Sequence, residues 1–214
     1  MFIERQYKIQ SKKNRRIDLK VVPGHFATTQ SHINFYMDMT TLKVRQKEAA
    51  EVARTMARDY QYNRPVDTII CIDGCDIIGS YLAEELTKNG IMSLNSHNSL
   101  YIITPEFDTS GQMFFRDNLI PMVNGKNVIL VLDTATTGRT VARSIECIRY
   151  YGGKLQGVSA IFSFANEVYG EPIHAIYTKD DIPSYQTFSP ASCPYCANGE
   201  KVDAIINGKG YSKL

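Results

Sequence analysis

The sequence predicts an α/β fold built on a mainly parallel sheet with helices on both faces. Three apolar, strand-like segments support this class: residues 68–72, 127–132 and 155–164. Each of the first two is followed by a short polar loop and then by an amphipathic helix. This repetition is typical of parallel sheets, because a helix must carry the chain back across one face before the next parallel strand begins.

The other elements are assigned from apolar periodicity and from turn residues. In chain order the assignments are an extended segment over 17–22, a turn at 23–24, a helix from Thr40 or Thr41 to about Tyr60, a strand over 68–72, a loop over 73–76, a helix over 77–88 that Asn89-Gly90 ends, a strand over 101–104, a long connection over 105–126 with a hairpin in its middle, a strand over 127–132, a helix over 139–151, and strands over 155–164 and 173–177. The chain is therefore divided into a basic N-terminal arm (1–22), a core (23–180) and an appended C-terminal tail (181–214).

Composition excludes several classes of protein. With 43% hydrophobic and 21% charged residues, the 214-residue chain is not a disordered or low-complexity sequence. No apolar run approaches the roughly 18 residues of a membrane span. The start has no signal-peptide core, so we expect a cytoplasmic protein without a membrane partner. The five scattered cysteines indicate reduced thiols rather than a disulfide framework.

Charge is unevenly distributed along the chain. The net charge is only +2, which argues against a surface that coats nucleic acid. Residues 1–20, however, carry +5 and the remainder carries −3. We interpret the basic arm as a solvated strand pair or a subunit contact, with a weak nucleic-acid contact as the less common alternative.

The loop after residues 127–132 is the strongest candidate for a binding site. The strand brings Asp133, four threonines and Gly138 to its carboxyl end, directly before a helix, and open α/β sheets bind ligands at that end. A phosphate suits the loop, because glycine allows close backbone approach, hydroxyls donate hydrogen bonds and helix-start amides point at the anion. Asp133 could then accept hydrogen bonds from sugar hydroxyls. The loop has neither a Walker ending nor a Gly-x-Gly-x-x-Gly pattern.

This segment resembles the signature of the type I phosphoribosyltransferases, in which a hydrophobic strand, two adjacent acids and two variable residues precede Thr-Thr-Gly. The matching residues are Leu132-Asp133-Thr134-Ala135-Thr136-Thr137-Gly138-Arg139-Thr140. The resemblance implies that residues 133–140 bind phosphoribosyl pyrophosphate, with Asp133 on the ribose and the Thr-Thr-Gly loop on the 5-phosphate. Leu132 stands where the family has its first acid.

Two further segments resemble the same family. The first corresponds to its pyrophosphate loop, with an ordinary acidic turn as the alternative: Asp73-Gly74-Cys75-Asp76. The second, residues 27–38, is similar to the Ser-Pro-Phe-Tyr-x-Asp pattern of orotate phosphoribosyltransferases, and Phe35, Tyr36 and Asp38 match it. The resemblance implies a pyrimidine-type base held by Thr28, Phe35 and Tyr36.

Residues 105–126 occupy the position of the family's mobile hood, which closes over the substrate. Orotate enzymes place several cations there, whereas this chain has Arg116 alone before Lys126. Arg116 is therefore predicted to be catalytic together with Asp133, and the alternative is a solvated hairpin residue. The resemblance also implies Mg²⁺ as cofactor and a homodimer as the assembly.

Cys193-Pro194-Tyr195-Cys196 has the spacing of half a zinc site. A structural site needs two more ligands, no second pair follows, and His25, His32 and His97 show no ligand spacing. We interpret the segment as an inert turn or a site shared between subunits rather than as a zinc site within one chain.

Three functions are compatible with these features. The leading one is a phosphoribosyltransferase that joins a pyrimidine-type base, as orotate is, to ribose 5-phosphate and releases pyrophosphate. The second is a catalytically weak or inactive regulatory protein that binds phosphoribosyl pyrophosphate, which Leu132 and the cation-poor hood favour. The third and weakest is a nucleic-acid binder that uses the basic arm and the Cys-x-x-Cys tail.

Overall fold

The computed structural model describes residues 2–29, 31–62, 64–88, 94–95 and 99–214. Its strands are β1 (Tyr7–Gln10), β2 (Asp18–Ala27), β3 (His32–Asp38), β4 (Thr68–Cys71), β5 (Tyr101–Ile103), β6 (Glu106–Phe107), β7 (Met113–Phe114), β8 (Asn127–Ala135), β9 (Lys154–Ser163), β10 (Glu167–Val168), β11 (Glu171–Thr178), β12 (Thr187–Phe188), β13 (Ala204–Asn207) and β14 (Gly210–Lys213). Its helices are α1 (Thr40–Val44), α2 (Gln46–Ala57), α3 (Asp76–Thr87), α4 (Arg139–Tyr150) and α5 (Pro194–Ala197). The helix stop predicted at Asn89-Gly90, and His97, lie outside the described residues.

A mainly parallel sheet lies at the centre, as the sequence predicts. Its order is β10-β11-β9-β8-β4-β5, and all neighbours pair in parallel except the short edge strand β10. The middle strands are continuous apolar runs because helices cover the sheet on both sides, so side chains on either face avoid water. The predicted α/β class is therefore confirmed.

Side chains along β8 alternate between two apolar clusters. Ile129 and Val131 pack in the cluster that contains α2 and α3, whereas Leu130 and Leu132 pack in the cluster that contains α4. All four are fully buried, and burying a side chain of this size stabilises the fold by about 1.5–3 kcal/mol. Leu132 is thus a core residue, and Asp133 lies on the opposite side of the strand.

A second sheet is formed by the two ends of the chain. Its order is β12-β3-β2-β13-β14, with β1 beside β2. Strand β2 crosses the predicted boundary between residues 22 and 23, and β13 pairs with it in parallel. Residues 181–214 therefore do not form an appended tail but supply three strands of this sheet, and Ala204 and Ile206 join the main core.

The basic arm forms a strand pair, and five of its cations pair with carboxylates. Strands β1 and β2 form an antiparallel pair in which Tyr7 lies opposite Val21. The ion pairs are Arg5–Asp203, Lys8–Asp18, Lys12–Asp181, Arg16–Glu51 and Lys20–Asp38. Most of these cations are exposed. This agrees with one of the interpretations of the segment, that of a solvated strand pair.

The hood contains a small hairpin, as predicted. Strands β6 and β7 pair in antiparallel register, with Glu106 opposite Phe114. Met113 and Phe115 are buried against the core cluster of α4. No helix in the described part of the chain is long and apolar enough to cross a bilayer.

Candidate active site

A cavity of about 590 Å³ opens between the carboxyl ends of the central strands and the second sheet. Six parts of the chain supply most of its lining: the β8–α4 loop, the β2–β3 hairpin, α1, the β4–α3 loop, the hood and the β13–β14 turn. The site is thus built where the fold class places ligands, and the C-terminal strands close its far side.

One wall of the cavity is suited to an anion. Thr134, Thr136, Thr137 and Thr140 line it, and Gly138 is the N-cap of α4 with φ +71°. Such a φ favours glycine, and a Cβ at this position would also lie 2.7 Å from Val168 Cγ2. The first amides of a helix have no partner within the helix. The start of this twelve-residue helix therefore offers amide donors beside the threonine hydroxyls, a combination that suits an anion.

Asp133 and Lys43 form a buried ion pair at the floor of the cavity. Lys43 Nζ donates to Asp133 Oδ2 at 2.7 Å, to the Asp73 carbonyl at 2.8 Å and to the Gly208 carbonyl at 2.6 Å. An ammonium has three donors, so each one is used. Burial raises the pKa of Asp133, while Lys43 and the Thr134 hydroxyl and amide lower it.

Asp73 presents a second carboxyl group beside this pair. Its backbone has φ 56°, a left-handed conformation that Asp tolerates better than most residues. Burial and the negative charge of Asp133 raise the pKa of Asp73 to about 7, although Lys43 opposes the shift. Two nearby carboxyls and one ammonium therefore leave this floor short of positive charge.

The wall formed by the β2–β3 hairpin combines hydroxyls with apolar surface. The Thr28 hydroxyl donates to the Ser31 carbonyl at 2.9 Å and accepts from the Ser31 amide at 2.9 Å, which closes a tight turn. Ile33, Tyr36 and Met37 continue the wall. Burial raises the pKa of Tyr36 to about 12, so its phenol keeps its proton and can donate a hydrogen bond.

Many of the residues predicted from the sequence meet in this cavity. Those that line it are Asp133, Thr134, Thr136, Thr137, Arg139, Thr140, Asp73, Thr28 and Tyr36, and Gly138 supplies the helix cap. The β8–α4 loop, Asp73 of the β4–α3 loop and the β2–β3 hairpin therefore belong to one site.

The structure does not bring several other predicted residues to the cavity lining. Cys75 is a fully buried core residue, and burial raises the pKa of its thiol well above the usual range. Ala135 is buried in β8, and the Asp76 carboxylate accepts a hydrogen bond from the Thr104 hydroxyl outside the cavity. Gly74, with φ 75°, completes the turn without lining the cavity.

Phe35 and Arg116 are also placed elsewhere. Phe35 lines a separate surface concavity with Pro23, because successive side chains of β3 point to opposite sides. Arg116 forms a two-point ion pair with Glu106 across the exposed hairpin, with distances of 2.8 and 2.7 Å. Arg116 is thus a solvent-exposed hairpin residue in this structure, which is the alternative that the sequence left open for it.

Three cations at the cavity were missed by the sequence interpretation. Lys43 follows the Phe-Tyr-x-Asp segment in a short helix, Arg143 lies one turn into α4, and Lys209 lies in the β13–β14 turn. Arg143 also donates to the Ser110 and Gly111 carbonyls of the hood at 3.4 and 3.3 Å. From the sequence, Arg143 could have been indicated only by its position one helical turn after the β8–α4 loop.

The interpretation of the histidines requires a correction. His25 and His32 lie beside Cys193 and Cys196, with all four potential ligand atoms within 4.8 Å of one another. Sequence spacing concealed this arrangement because the two pairs come from distant segments that meet only in the folded chain, where α5 lies beside β2 and β3. We call these four residues the His/Cys cluster.

No known family profile matches the sequence, but an individual enzyme is similar to it. The chain is 26% identical over 182 residues to an orotate phosphoribosyltransferase of Desulforamulus reducens, covering 84% of this chain and 86% of the relative.

Two solved structures support the same fold. The chain superposes on the orotate phosphoribosyltransferase of Mycobacterium tuberculosis H37Rv with a TM-score of 0.50 and 16% identity, over 77% of this chain and 92% of that one. It superposes on an adenine phosphoribosyltransferase of Thermoanaerobacter pseudethanolicus with a TM-score of 0.51 and 14% identity, over 83% and 97%. At these identities the structures establish the fold.

Proposed function

We propose that this chain, whose fold and sequence identify it with the type I phosphoribosyltransferases, transfers ribose 5-phosphate from phosphoribosyl pyrophosphate to a pyrimidine-type base. One observation carries the proposal: Asp133 and the threonine loop capping α4 face the same cavity as the hydroxyls of the β2–β3 hairpin. A sugar phosphate would then lie between an anion site and a base site.

The 5-phosphate is assigned to the start of α4. Thr136, Thr137 and Thr140 line the cavity there, and their hydroxyls can join the helix-start amides in binding phosphate oxygens. Arg139, the first residue of α4, also lines the cavity, so the cradle combines neutral donors with one guanidinium.

Asp133 is assigned to the ribose. A carboxylate has roughly four acceptor positions, and Lys43 Nζ uses one of them at Oδ2. Asp133 can therefore also accept a hydrogen bond from a sugar hydroxyl. Lys43 acts as a positioning residue, because it holds the carboxylate from below without a donor to spare for substrate.

The reaction replaces one bond at ribose C1. The bond from C1 to the pyrophosphate oxygen breaks and pyrophosphate leaves with the electron pair. A ring nitrogen of the base supplies the pair for the new C1–N bond, and the proton on that nitrogen passes to pyrophosphate or to solvent. Positive charge develops on the ribose, so a fixed carboxylate close to it lowers the barrier. The site holds the two reactants in register and so contributes the orientation that a bimolecular reaction lacks in solution.

Mg²⁺ fits the donor set of the cavity floor. Asp73 and Asp133 offer carboxylate oxygens, the ligand type that Mg²⁺ prefers, and burial together with the negative charge of Asp133 raises the pKa of Asp73. These two residues would hold the ion together with oxygens of the pyrophosphate. Bound Mg²⁺ would neutralise charge on the leaving group.

The decisive test is a product assay. Purified protein is incubated with phosphoribosyl pyrophosphate, Mg²⁺ and a panel of bases that includes orotate, uracil and adenine, and pyrophosphate release is measured. We expect release with a pyrimidine, and Asp133→Asn to lower kcat/KM by about 100-fold or more. Asp117→Asn, at an exposed position outside the cavity, is the matched control. Faster reaction with adenine would refute the base assignment, and no release with any base would refute turnover.

The role of cations can be assigned with a second pair of variants. Arg143 lines the cavity, whereas Arg116 pairs with Glu106 on the hairpin. We expect Arg143→Met to raise KM for phosphoribosyl pyrophosphate by about tenfold, the scale of one charge-assisted hydrogen bond. Arg116→Met should change kcat and KM less than about threefold. A larger effect of Arg116→Met than of Arg143→Met would support the prediction from the sequence that Arg116 is catalytic.

A second candidate function is binding of phosphoribosyl pyrophosphate without turnover. Its support is Leu132, which stands in place of an acid and is fully buried in the core cluster of α4. Only one acid of the pair can therefore act on the ribose. Calorimetry that detects phosphoribosyl pyrophosphate binding by a preparation that releases no pyrophosphate would favour this function.

We propose a homodimer in a reducing, cytoplasmic compartment as the working form. The five cysteines are free in the structure, which supports a reducing environment. Sedimentation analysis at several protein concentrations tests the assembly, and a mass of one chain throughout would refute the dimer.

A further inference from the structure

The His/Cys cluster joins two segments that are distant in sequence. His25 lies in β2 and His32 begins β3, while Cys193 is the N-cap of α5 and Cys196 lies within it. Cys193 and His25 are 168 residues apart, yet Sγ and Nε2 are separated by 3.5 Å. Tertiary structure, rather than a local motif, therefore assembles the cluster.

Four distances within the cluster are close to the edges of a tetrahedron around one ion. Bonds of about 2.0–2.1 Å to nitrogen and 2.3 Å to sulfur imply N–N and N–S edges of about 3.3 and 3.5 Å. The His25 Nε2 to His32 Nδ1 distance is 2.9 Å. Cys196 Sγ lies 3.7 Å from His25 Nε2 and 3.3 Å from His32 Nδ1. These distances and the 3.5 Å from Cys193 Sγ to His25 Nε2 lie within about half an ångström of the ideal edges, and all four atoms lie within 4.8 Å of one another.

Neighbouring groups fix the orientation of His25. Its Nδ1 lies 3.1 Å from the Glu200 carbonyl, and because a carbonyl only accepts, the proton must be on Nδ1. Nε2 then presents its lone pair to the cluster, the arrangement that metal-binding histidines adopt. Tyr195 stacks on the imidazole with ring centroids 5.2 Å apart.

The backbone on either side of the cluster is also held in place. The Asp203 amide donates to the His25 carbonyl at 2.7 Å, and the His25 amide donates to Asp203 Oδ2 at 3.0 Å. His32 lies opposite Phe188 in the β3–β12 pair. The ligand-bearing segments are therefore positioned before any ion binds.

We propose that the His/Cys cluster binds one Zn²⁺ ion in a tetrahedral structural site. Two thiolates and two imidazoles form a ligand set typical of zinc, and four protein ligands leave no open position for a substrate. His25 and Cys193 are 3% and 2% exposed, so one side of the ion would be shielded from water. Binding releases the two thiol protons to solvent, which balances the charge of the ion.

The zinc site would stabilise one wall of the cavity. The turn between the two histidine ligands carries Thr28 and Ser31, which line the cavity. The same ion would anchor α5, after which the chain continues into β13 and the Gly208 carbonyl that binds Lys43. The site therefore links the C-terminal segment to the β2–β3 hairpin as a cross-link of long sequence separation.

Metal content tests the proposal without reference to activity. The full chain is purified under reducing conditions without chelator, and bound metals are measured by plasma mass spectrometry. We expect about one zinc per chain, and loss of most of it in Cys196→Ser and in His32→Ala. Cys147→Ala and His174→Gln, which change a cysteine and a histidine outside the cluster, are the matched controls and should keep the zinc.

Cobalt substitution and melting give two further measurements. Co²⁺ bound in place of zinc should show thiolate-to-metal charge-transfer absorption that Cys196→Ser abolishes. Removal of zinc by chelation should lower the melting temperature by about 5 °C or more. Cys193 is buried and Cys196 is exposed. Cys196→Ser should therefore leave the chain folded, even if the corresponding Cys193→Ser variant does not fold.

Three results would overturn the proposal. One is a protein that retains no zinc after incubation with Zn²⁺ and a reductant followed by desalting. The second is full zinc content in both cluster variants, which would indicate adventitious binding elsewhere. The third is a Cys193–Cys196 disulfide that persists when the protein is purified with zinc. Because the readouts are metal content and melting, loss of the proposed enzymatic function would leave them unaffected.

Discussion

Lys43 connects three parts of the chain at the residue scale. Its ammonium binds the end of β8 through Asp133, the β4–α3 loop through the Asp73 carbonyl and the β13–β14 turn through the Gly208 carbonyl. The Lys43 and Asp133 side chains are each 9% exposed. At that depth, loss of one partner leaves an uncompensated charge, whereas loss of both does not.

We predict that Lys43→Met destabilises the protein by about 3 kcal/mol and that the double variant Lys43→Met/Asp133→Asn is less destabilised than Lys43→Met alone. Urea unfolding at pH 7 measures both. Lys47→Met, which removes an exposed lysine of α2, should change stability by less than about 0.5 kcal/mol. Equal losses in the single and double variants would contradict the paired arrangement.

Asp73 should make stability depend on pH. Burial and Asp133 raise its pKa from 3.8 to about 7, so between these values the folded state binds more protons than the unfolded state. Stability from this group is therefore greatest at low pH and is lost as the pH rises toward 7.

Asp73→Asn removes this ionisation and keeps a side chain that tolerates the left-handed backbone. We predict that its stability relative to wild type is about 2 kcal/mol more favourable at pH 8 than at pH 5. Urea unfolding of both proteins at each pH provides the comparison. A difference that is the same at the two pH values would contradict the raised pKa.

The sequence predicts residues best where chemistry and local pattern coincide. Asp133 was found because an acid interrupts an apolar strand and is followed by threonines and a glycine. Phe35 was assigned with Tyr36 by motif, but the alternation of β3 separates them. Lys43 could not be found, because its role depends on a carbonyl in the β13–β14 turn that is 165 residues away.

The β8–α4 loop shows the same principle at the scale of an element. Gly138 must adopt φ +71° and leave room for Val168, whereas Gly170 has φ +75° and no atom within 4 Å of the place that a Cβ would occupy. Alanine at either residue carries the cost of a left-handed backbone, of the order of 1 kcal/mol. Only alanine at Gly138 would also meet a side chain, Val168, and so push against the β8–α4 loop.

We predict that Gly138→Ala weakens binding of ribose 5-phosphate by about tenfold or more, while Gly170→Ala leaves binding within about twofold. Isothermal titration calorimetry measures affinity, and urea unfolding reports the backbone cost that the two variants share. Similar affinities for both variants would show that the Thr-Thr-Gly loop does not hold the phosphate.

Strands with a continuous apolar pattern were predicted from the sequence, whereas the partly exposed strands near the C-terminus were not. Strands β4, β8 and β9 are buried on both faces, so composition alone identifies them. Strands β13 and β14 are four residues each, and most of their residues are partly or fully exposed. Such segments are stabilised by their neighbours in the sheet, and their local pattern does not differ from that of a turn.

The cavity is a property of the whole molecule, because neither sheet forms it alone. The central sheet supplies Asp133 and the threonine loop, and the second sheet supplies the β2–β3 wall and the β13–β14 turn. Residues from the two ends of the chain therefore complete a cavity whose Asp133 and threonine loop come from the middle of the sequence. Lys209 reaches the cavity only through this arrangement.

We predict that Lys209→Ala raises KM for phosphoribosyl pyrophosphate by about fivefold at low ionic strength, and that the effect decreases as salt screens the charge. Lys201→Ala, an exposed change in the same segment outside this cavity, should alter KM by less than about twofold. Steady-state kinetics at two salt concentrations separates the variants. Since the two substitutions remove the same charge from one segment, equal effects would mean that overall charge acts rather than the position of Lys209. A larger effect of Lys209 would mean that the second sheet contributes directly to substrate binding.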